Sequence, residues 1–308
     1  MVLRQVLLAA SGSDRVESVV RNAGVVRALT GRYVAGDGPE DAASVAAGLV
    51  ADGLLVTLDH LDGRARDSGR AARAVKDRLT LLDALARRGV AKGADLSLRL
   101  SSLGLGLDDD LARRNASRVC QAALDVGATV TVEAEEPAMA EAALRVHAAL
   151  FDEHPATGVT VLSSLRRAEE HCSGLAAGRV RLRRGHADGP VAVTHRDAAA
   201  VDRSYVRCLK ALMAGEGRPV VATHDRRLIE IASALAVLNE REGVEYEMSY
   251  GVRPAEQARL AALGTRVRVR VPYGADWYPH LARHLARRPA NLALLARSLG
   301  RQRPRGSR

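Results

Sequence analysis

Eight short runs rich in β-branched residues recur along the chain, at 53–58, 95–100, 129–133, 158–163, 180–183, 219–223, 246–249 and 266–271. The longer stretches between them carry helical periodicity, as at 69–88, 111–126 and 225–239. A strand, a crossover helix and a second parallel strand form the unit that such alternation builds. Eight units close the sheet on itself, so the expected fold is α/β, a (β/α)8 TIM-like barrel. The open doubly wound alternative would place a Gly-rich dinucleotide turn after the first strand, and none follows residue 58. With no linker interrupting the run, one barrel domain is expected over 51–298. A short helical N-terminal cap over 1–50 precedes it, and the basic end at 299–308 reads as a disordered tail.

In such a barrel, chemistry sits at the carboxyl ends of the strands. Those ends read Asp59 and His60, Arg99 and Ser101, Glu133 and Glu135, and Ser163. They continue with Arg181, Arg183 and Arg184, Thr223 and His224, Glu247 and Ser249, and Arg268 with Arg270. Ends used only for packing would be apolar, so this rim reads as a site. The last strand is the most legible: Arg266-Val-Arg-Val-Arg-Val271 alternates strictly, the period of a half-buried strand. A Pro-Tyr-Gly turn at Pro272 to Gly274 and an amphipathic segment ending at the breaker Pro289 follow it.

Composition narrows the partners. The net charge is +10 and the pI about 10.2, which raises nucleic acid as a ligand. Arg far outnumbers Lys, however, and the basic residues are spread along the chain. No zinc, helix-turn-helix or RNA-binding aromatic motif accompanies them, so no specific nucleic-acid partner is expected. Cys120, Cys172 and Cys208 lack metal-ligand spacing and read as buried thiols of a reducing cytoplasm, with no metal expected. The opening Met1-Val-Leu-Arg4 segment is short and charged, and reads as a first helix rather than a signal peptide. Aromatic residues are only 3% of the chain, so Leu, Val and Ala must pack its core.

Several segments resemble the proline dehydrogenase family. Arg32-Tyr-Val-Ala-Gly-Asp37 is similar to its Arg-Phe-Val-Ala-Gly-Glu, and Thr57-Leu-Asp-His-Leu61 to its first strand. Leu96-Ser-Leu-Arg-Leu-Ser-Ser-Leu-Gly104 resembles its second, and Ala222-Thr-His-Asp225 its sixth. The Pro-Tyr-Gly turn and the following Trp277-Tyr-Pro279 match its eighth. The resemblance, running from about residue 32 to 291, implies a barrel that holds FAD non-covalently and takes a hydride from the carbon beside a secondary amine. The implied partners are a small amino or imino acid and a quinone, oxygen or other electron acceptor. The basic rim leaves peripheral contact with a membrane open.

By the same resemblance Arg181 approaches the flavin, where a guanidinium stabilises charge on the reduced ring. Arg183, Gly185, Thr223, His224, Asp225 and His284 complete the implied cofactor contacts. The substrate side departs from the family pattern. The second-strand Lys is Arg99, the third-strand Asp is Glu133, and the fourth-strand Gln-Ala-Tyr-Leu is Leu162-Ser-Ser-Leu165. Lys-Gly-Ala-Tyr has become Arg184-Gly-His-Ala187, Tyr positions have become Arg270 and His280, and a pocket Leu is Ser249. Arg283 survives from a carboxylate-clamping Arg pair whose second member is His284. Arg181, Glu133 and Arg99 are the expected catalytic set. Arg283, Arg270, His280, His284, Ser249 and Ala187 are the expected substrate contacts. The changes favour a roomier, more cationic pocket and a larger or more anionic substrate than proline. Ordinary proline oxidation and a non-catalytic barrel remain as alternatives.

Overall fold

In the computed structural model, residues 31–135, 137–185 and 189–277 are described. Eight strands form one closed barrel in sequence order: β1 Leu55–His60, β2 Asp95–Leu98, β3 Thr129–Val132, β4 Gly158–Leu162, β5 Arg179–Arg183, β6 Arg218–Ala222, β7 Glu245–Ser249 and β8 Arg266–Tyr273. Every pairing is parallel, and β8 closes on β1 over Leu55↔Arg268 to His60↔Tyr273. The expected runs lie within about two residues of the observed strands at each end. The barrel fold read from the sequence is the fold observed.

Helix α1 (Pro39–Ala51) precedes β1, with a proline in its first turn and Glu40 and Asp41 near its positive end. Helices α2 (Ser68–Arg87), α3 (Asp109–Asp125), α4 (Ala140–Glu153), α5 (Ala168–Gly174), α6 (Ala198–Ala214), α7 (Arg226–Leu238) and α8 (Pro254–Ala262) follow β1 to β7 in turn. Aspartates start several of them: Asp67, Asp108, Asp197 and Asp225 each accept a backbone N–H of the first turn. The expected cap at 1–50 lies outside the described residues up to 30. Its described part is drawn against the barrel, for Ala35 N–H donates to Pro272 O at 2.8 Å and Gly274 N–H to Gly36 O at 2.9 Å. The expected tail at 299–308 also lies outside the described residues.

Two opposite surfaces come from one alternation. The outward set, including Val130, Val132, Val159, Val161, Val180, Leu182, Val267, Val269 and Val271, is buried against the Ala- and Leu-rich helix faces. Each such side chain contributes about 1.5–3 kcal/mol of transfer free energy, which lets a chain poor in aromatics build its core. The inward set is different. Barrel interiors are ordinarily filled by layers of branched apolar side chains, whereas this one holds Arg and acidic residues in layers.

Candidate active site

Three layers of charge rise through the lumen. At the base Glu245 accepts from Arg268 Nε at 2.6 Å and from Arg179 Nη2 at 3.1 Å. Burial alone would raise the Glu245 carboxyl, but Arg268 and Arg179 draw it down to about 2. In the middle lies Arg181, with no exposed surface. Its Nη2 donates to Asp95 Oδ2 at 2.5 Å and Thr57 Oγ1 at 3.2 Å, and its Nη1 to Glu133 Oε1 at 2.6 Å. Its Nε lies 3.0 Å from Glu247 Oε2, an ion pair whose angle falls short of a hydrogen bond.

The uppermost layer faces the mouth. Arg270 donates through Nε and Nη2 to Asp59 Oδ2, at 3.0 and 2.9 Å, and through Nη1 to Glu133 at 2.8 Å. Arg99 donates to Asp59 at 3.1 Å. Arg183 donates to Glu133 Oε2 at 3.1 Å, with 38% of its side chain exposed. Burial opposes the charge on Glu133, yet Arg270, Arg181 and Arg183 outweigh it and hold the carboxyl far below the ordinary range. Ser97 Oγ adds a further donor at 2.5 Å.

Glu133 is therefore shared by three guanidiniums. Arg181 also has Asp95 and Glu247, and Arg270 also has Asp59. For Arg183 Glu133 is the one ion-pair partner among the described residues. Partial burial, and then the Arg270 charge beside it, push the Arg183 guanidinium below its ordinary range. A cation so placed, open to the mouth, favours an anion above it.

These contacts change several expected roles. Arg181 is enclosed one layer below the mouth, so a ring seated on the rim meets Arg183 first. Arg270 is enclosed by Asp59 and Glu133, whereas Arg99 pairs with Asp59 alone and stays partly exposed. Glu133 serves as the hub of the network, 3% exposed. Gly185 (φ +72°) is required by its own chain, since an added Cβ would collide with Ser164 Oγ and lie 3.1 Å from Leu162 Cβ. Asp225 caps α7, accepting the Arg227 N–H at 2.8 Å. Thr223 Oγ1 accepts the Asp225 N–H at 3.1 Å, and His224 Nε2 accepts the Ser249 N–H at 2.9 Å. In a neutral ring that bond places the His224 proton on Nδ1. Thr223, His224 and Ser249 thus meet at the β6–β7 side of the mouth. Ala187, His280, Arg283 and His284 lie outside the described residues.

Asp95, Arg179 and Glu245 had escaped the reading of strand ends because they sit deeper in the lumen. The period-2 series Arg179-Val-Arg-Leu-Arg183 and Glu245-Tyr-Glu247 carried the signal. A cavity of about 110 Å³ lined by Cys120, Thr129, Glu153, His154 and Thr157 lies at the opposite, amino-terminal end of the strands, the face associated with stability rather than chemistry.

A family model described as proline dehydrogenase matches residues 181–291. The proline dehydrogenase of Deinococcus radiodurans is 30% identical over 305 residues, covering 96% of this chain and 97% of its own. Proline dehydrogenase 1 of Bacillus subtilis is 29% identical over 272 residues, covering 87% and 89%. Among solved structures, proline utilization A from Bdellovibrio bacteriovorus, inactivated by N-propargylglycine, superposes with a TM-score of 0.77 at 18% identity. That match covers 89% of this chain and 33% of the larger protein, and speaks to the fold.

Proposed function

The chain belongs to the proline dehydrogenase family, and on that premise we propose that it oxidises the C–N bond of an imino or amino acid to an imine with FAD as the hydride acceptor. The observation that carries the reading is Arg183, a partly exposed guanidinium at the carboxyl end of β5 whose one carboxylate partner among the described residues is shared with two other cations. A two-electron-reduced flavin is anionic or strongly polarised, and so is an amino-acid carboxylate. A preorganised cation stabilises either without reorganising at the moment of reaction.

The residues present fit FAD at two places. Arg183 takes the electrostatic role that the sequence had given to Arg181, while Arg181 positions it from below through Glu133. Thr223 supplies a hydroxyl beside the N-terminus of α7, where phosphate oxygens are favoured, and His224 stands next to it. Asp225 supports this turn as a cap, and Gly185 by letting the strand β5 exit pass Ser164. When bound, FAD would supply the two-electron sink; the chain's own residues bind, orient and exclude water.

On the substrate side, Arg283 is the proposed carboxylate ligand, with His284, His280, Ser249 and Ala187 lining the pocket. Of the two cations that the sequence offered to a second substrate carboxylate, Arg270 is enclosed by Asp59 and Glu133, while Arg99 pairs with Asp59 alone and stays partly exposed. Arg183 and Arg99 are the partly exposed cations proposed to meet it. The electron acceptor that reoxidises the flavin is a quinone, oxygen or another small oxidant. Among the described residues no helix is long and apolar enough to cross a membrane, and the cytoplasm is the proposed compartment.

The test is anaerobic titration of the purified flavoprotein with L-proline and with a ring imino acid bearing a second carboxylate. Bleaching of the flavin by either supports the reaction class, and the ratio of the two rates assigns the pocket. Bleaching by neither, with flavin bound, would overturn it.

A further inference from the structure

Removing a hydride from the carbon beside nitrogen requires the nitrogen lone pair, and a secondary amine arrives at neutral pH as an ammonium ion that has none. A site for this reaction must therefore first take a proton. Among the described residues several titratable groups stand near the mouth, and one of them, Glu247, pairs with Arg181 at 3.0 Å and lies 3.9 Å from Arg270. His60 is stacked on Tyr273, with ring centroids 4.8 Å apart, on the outward side of β1. His224 accepts the Ser249 N–H on Nε2. Asp59 is held by Arg99 and Arg270. Glu133 is held by Arg181, Arg183 and Arg270. A carboxylate bound to two or three guanidiniums is a poor proton acceptor, because protonation would strand buried cations.

Glu135 is the exception. It lies just past the end of β3, mostly buried, and is held only by neutral donors: Ser101 N–H donates to Oε1 at 2.9 Å and Ser101 Oγ to Oε2. Among the described residues it makes no ion pair. Ser101 belongs to the 3-10 turn Leu100–Leu103 that follows β2, so these bonds fix the carboxylate on the β2–β3 rim. Each oxygen keeps a lone pair after accepting one bond.

We propose that Glu135 is the general base of this site, accepting the proton from the substrate nitrogen. The inference rests on the amine-oxidising reading above. In the step, the N–H bond breaks and its proton goes to a Glu135 oxygen. The freed lone pair forms the C=N bond as the adjacent C–H bond breaks, and the hydride passes to the two-electron acceptor. The substrate would lose two electrons, which FAD would take up when bound, and Glu135 would later return its proton to water. The charged groups acting on Glu135 are Arg99, just past the end of β2, which favours its ionised form, and Glu133, just past the end of β3, which opposes it. Burial is the larger influence and lifts the carboxyl above its ordinary range, toward the condition of a base working near neutral pH. Glu133, two residues away, is driven in the opposite direction, its guanidinium partners outweighing burial.

The test is the pH dependence of flavin reduction in the holoenzyme, for the wild type and for Glu135→Gln. Loss of a general base slows such a step about 10²–10⁴-fold. The variant should therefore be slow at pH 7 and recover toward pH 10–11, where an alkylammonium near pKa ~10.4 deprotonates by itself. A residue that only braces Ser101 would lower the rate at every pH alike. Glu135→Asp, which keeps a carboxylate, should retain the acid limb at reduced rate and serves if the Gln variant fails to fold. A difference infrared titration of the wild type against either variant should show a carboxyl that protonates above the ordinary range. Flavin reduction in Glu135→Gln that matches the wild type at pH 7 overturns the assignment, as does a uniform loss without alkaline recovery. Absence of any amine that bleaches wild-type flavin overturns the underlying reading instead.

Discussion

Replacing Arg181 by Met separates a lumen pillar from a cofactor contact. The guanidinium is fully buried and meets Asp95, Glu133, Glu247 and Thr57. After its removal Asp95 keeps Arg179, and Glu133 keeps Arg183 and Arg270. Glu247 fares worst: its nearest remaining cation, Arg270 Nη1, is 3.9 Å away. One unit-charge attraction at the 3.0 Å separation of Arg181 and Glu247 amounts to about 5 kcal/mol at an effective dielectric near 20. Relief of Arg181 desolvation and the apolar fit of Met offset part of that. The net loss is about 3 kcal/mol, at the lower end of the range for breaking a buried pair. Urea unfolding of flavin-free protein, followed by circular dichroism, measures it without adding salt. A variant as stable as the wild type without flavin, yet unable to retain flavin, would refute the pillar and restore Arg181 as a direct cofactor ligand.

Other consequences are sharper in sign than in size. Glu245, whose folded pKa is near 2 against about 4.3 unfolded, contributes stability that is complete above about pH 4.3 and lost as pH falls toward 2; Glu245→Gln should flatten that part of the acid-unfolding curve. Asp225→Ala should cost about 1 kcal/mol through loss of the α7 cap, seen in the urea midpoint. A large fall in flavin affinity with no change in that midpoint would show instead that Asp225 serves the cofactor. Gly185→Ala should destabilise by about 1–3 kcal/mol, from strain at positive φ and crowding on Ser164, and a neutral result would show that this turn relaxes.

Strand positions were legible because a period of two and a period of 3.6 are written in the residue types themselves, as in Arg266-Val-Arg-Val-Arg-Val271. The identity of the mouth residues followed, since strand ends in a barrel can be counted. What the residue types did not disclose is which charge neutralises which. Arg181 and Asp95 are 86 residues apart, and Arg270 and Asp59 are 211 apart; their meeting depends on the stagger of strands around the barrel, not on local pattern. For that reason Arg99 and Arg270 read alike as open cations, whereas in the structure Asp59 and Glu133 enclose Arg270, and Arg99 pairs with Asp59 but stays partly exposed. The same gap left Glu135 undistinguished from the other rim carboxylates, since what sets it apart is that its donors are the neutral groups of Ser101. Gly185 was legible as a required glycine, and Ser164 is a neighbour that crowds it within the chain.

The most direct measurement is the visible absorption spectrum of the purified protein, with the released chromophore identified and counted per chain. A flavin spectrum with one FAD per chain, bleached anaerobically by an imino acid, is the expected outcome. A colourless protein that takes up no added FAD would contradict it and leave the charged lumen as scaffold alone.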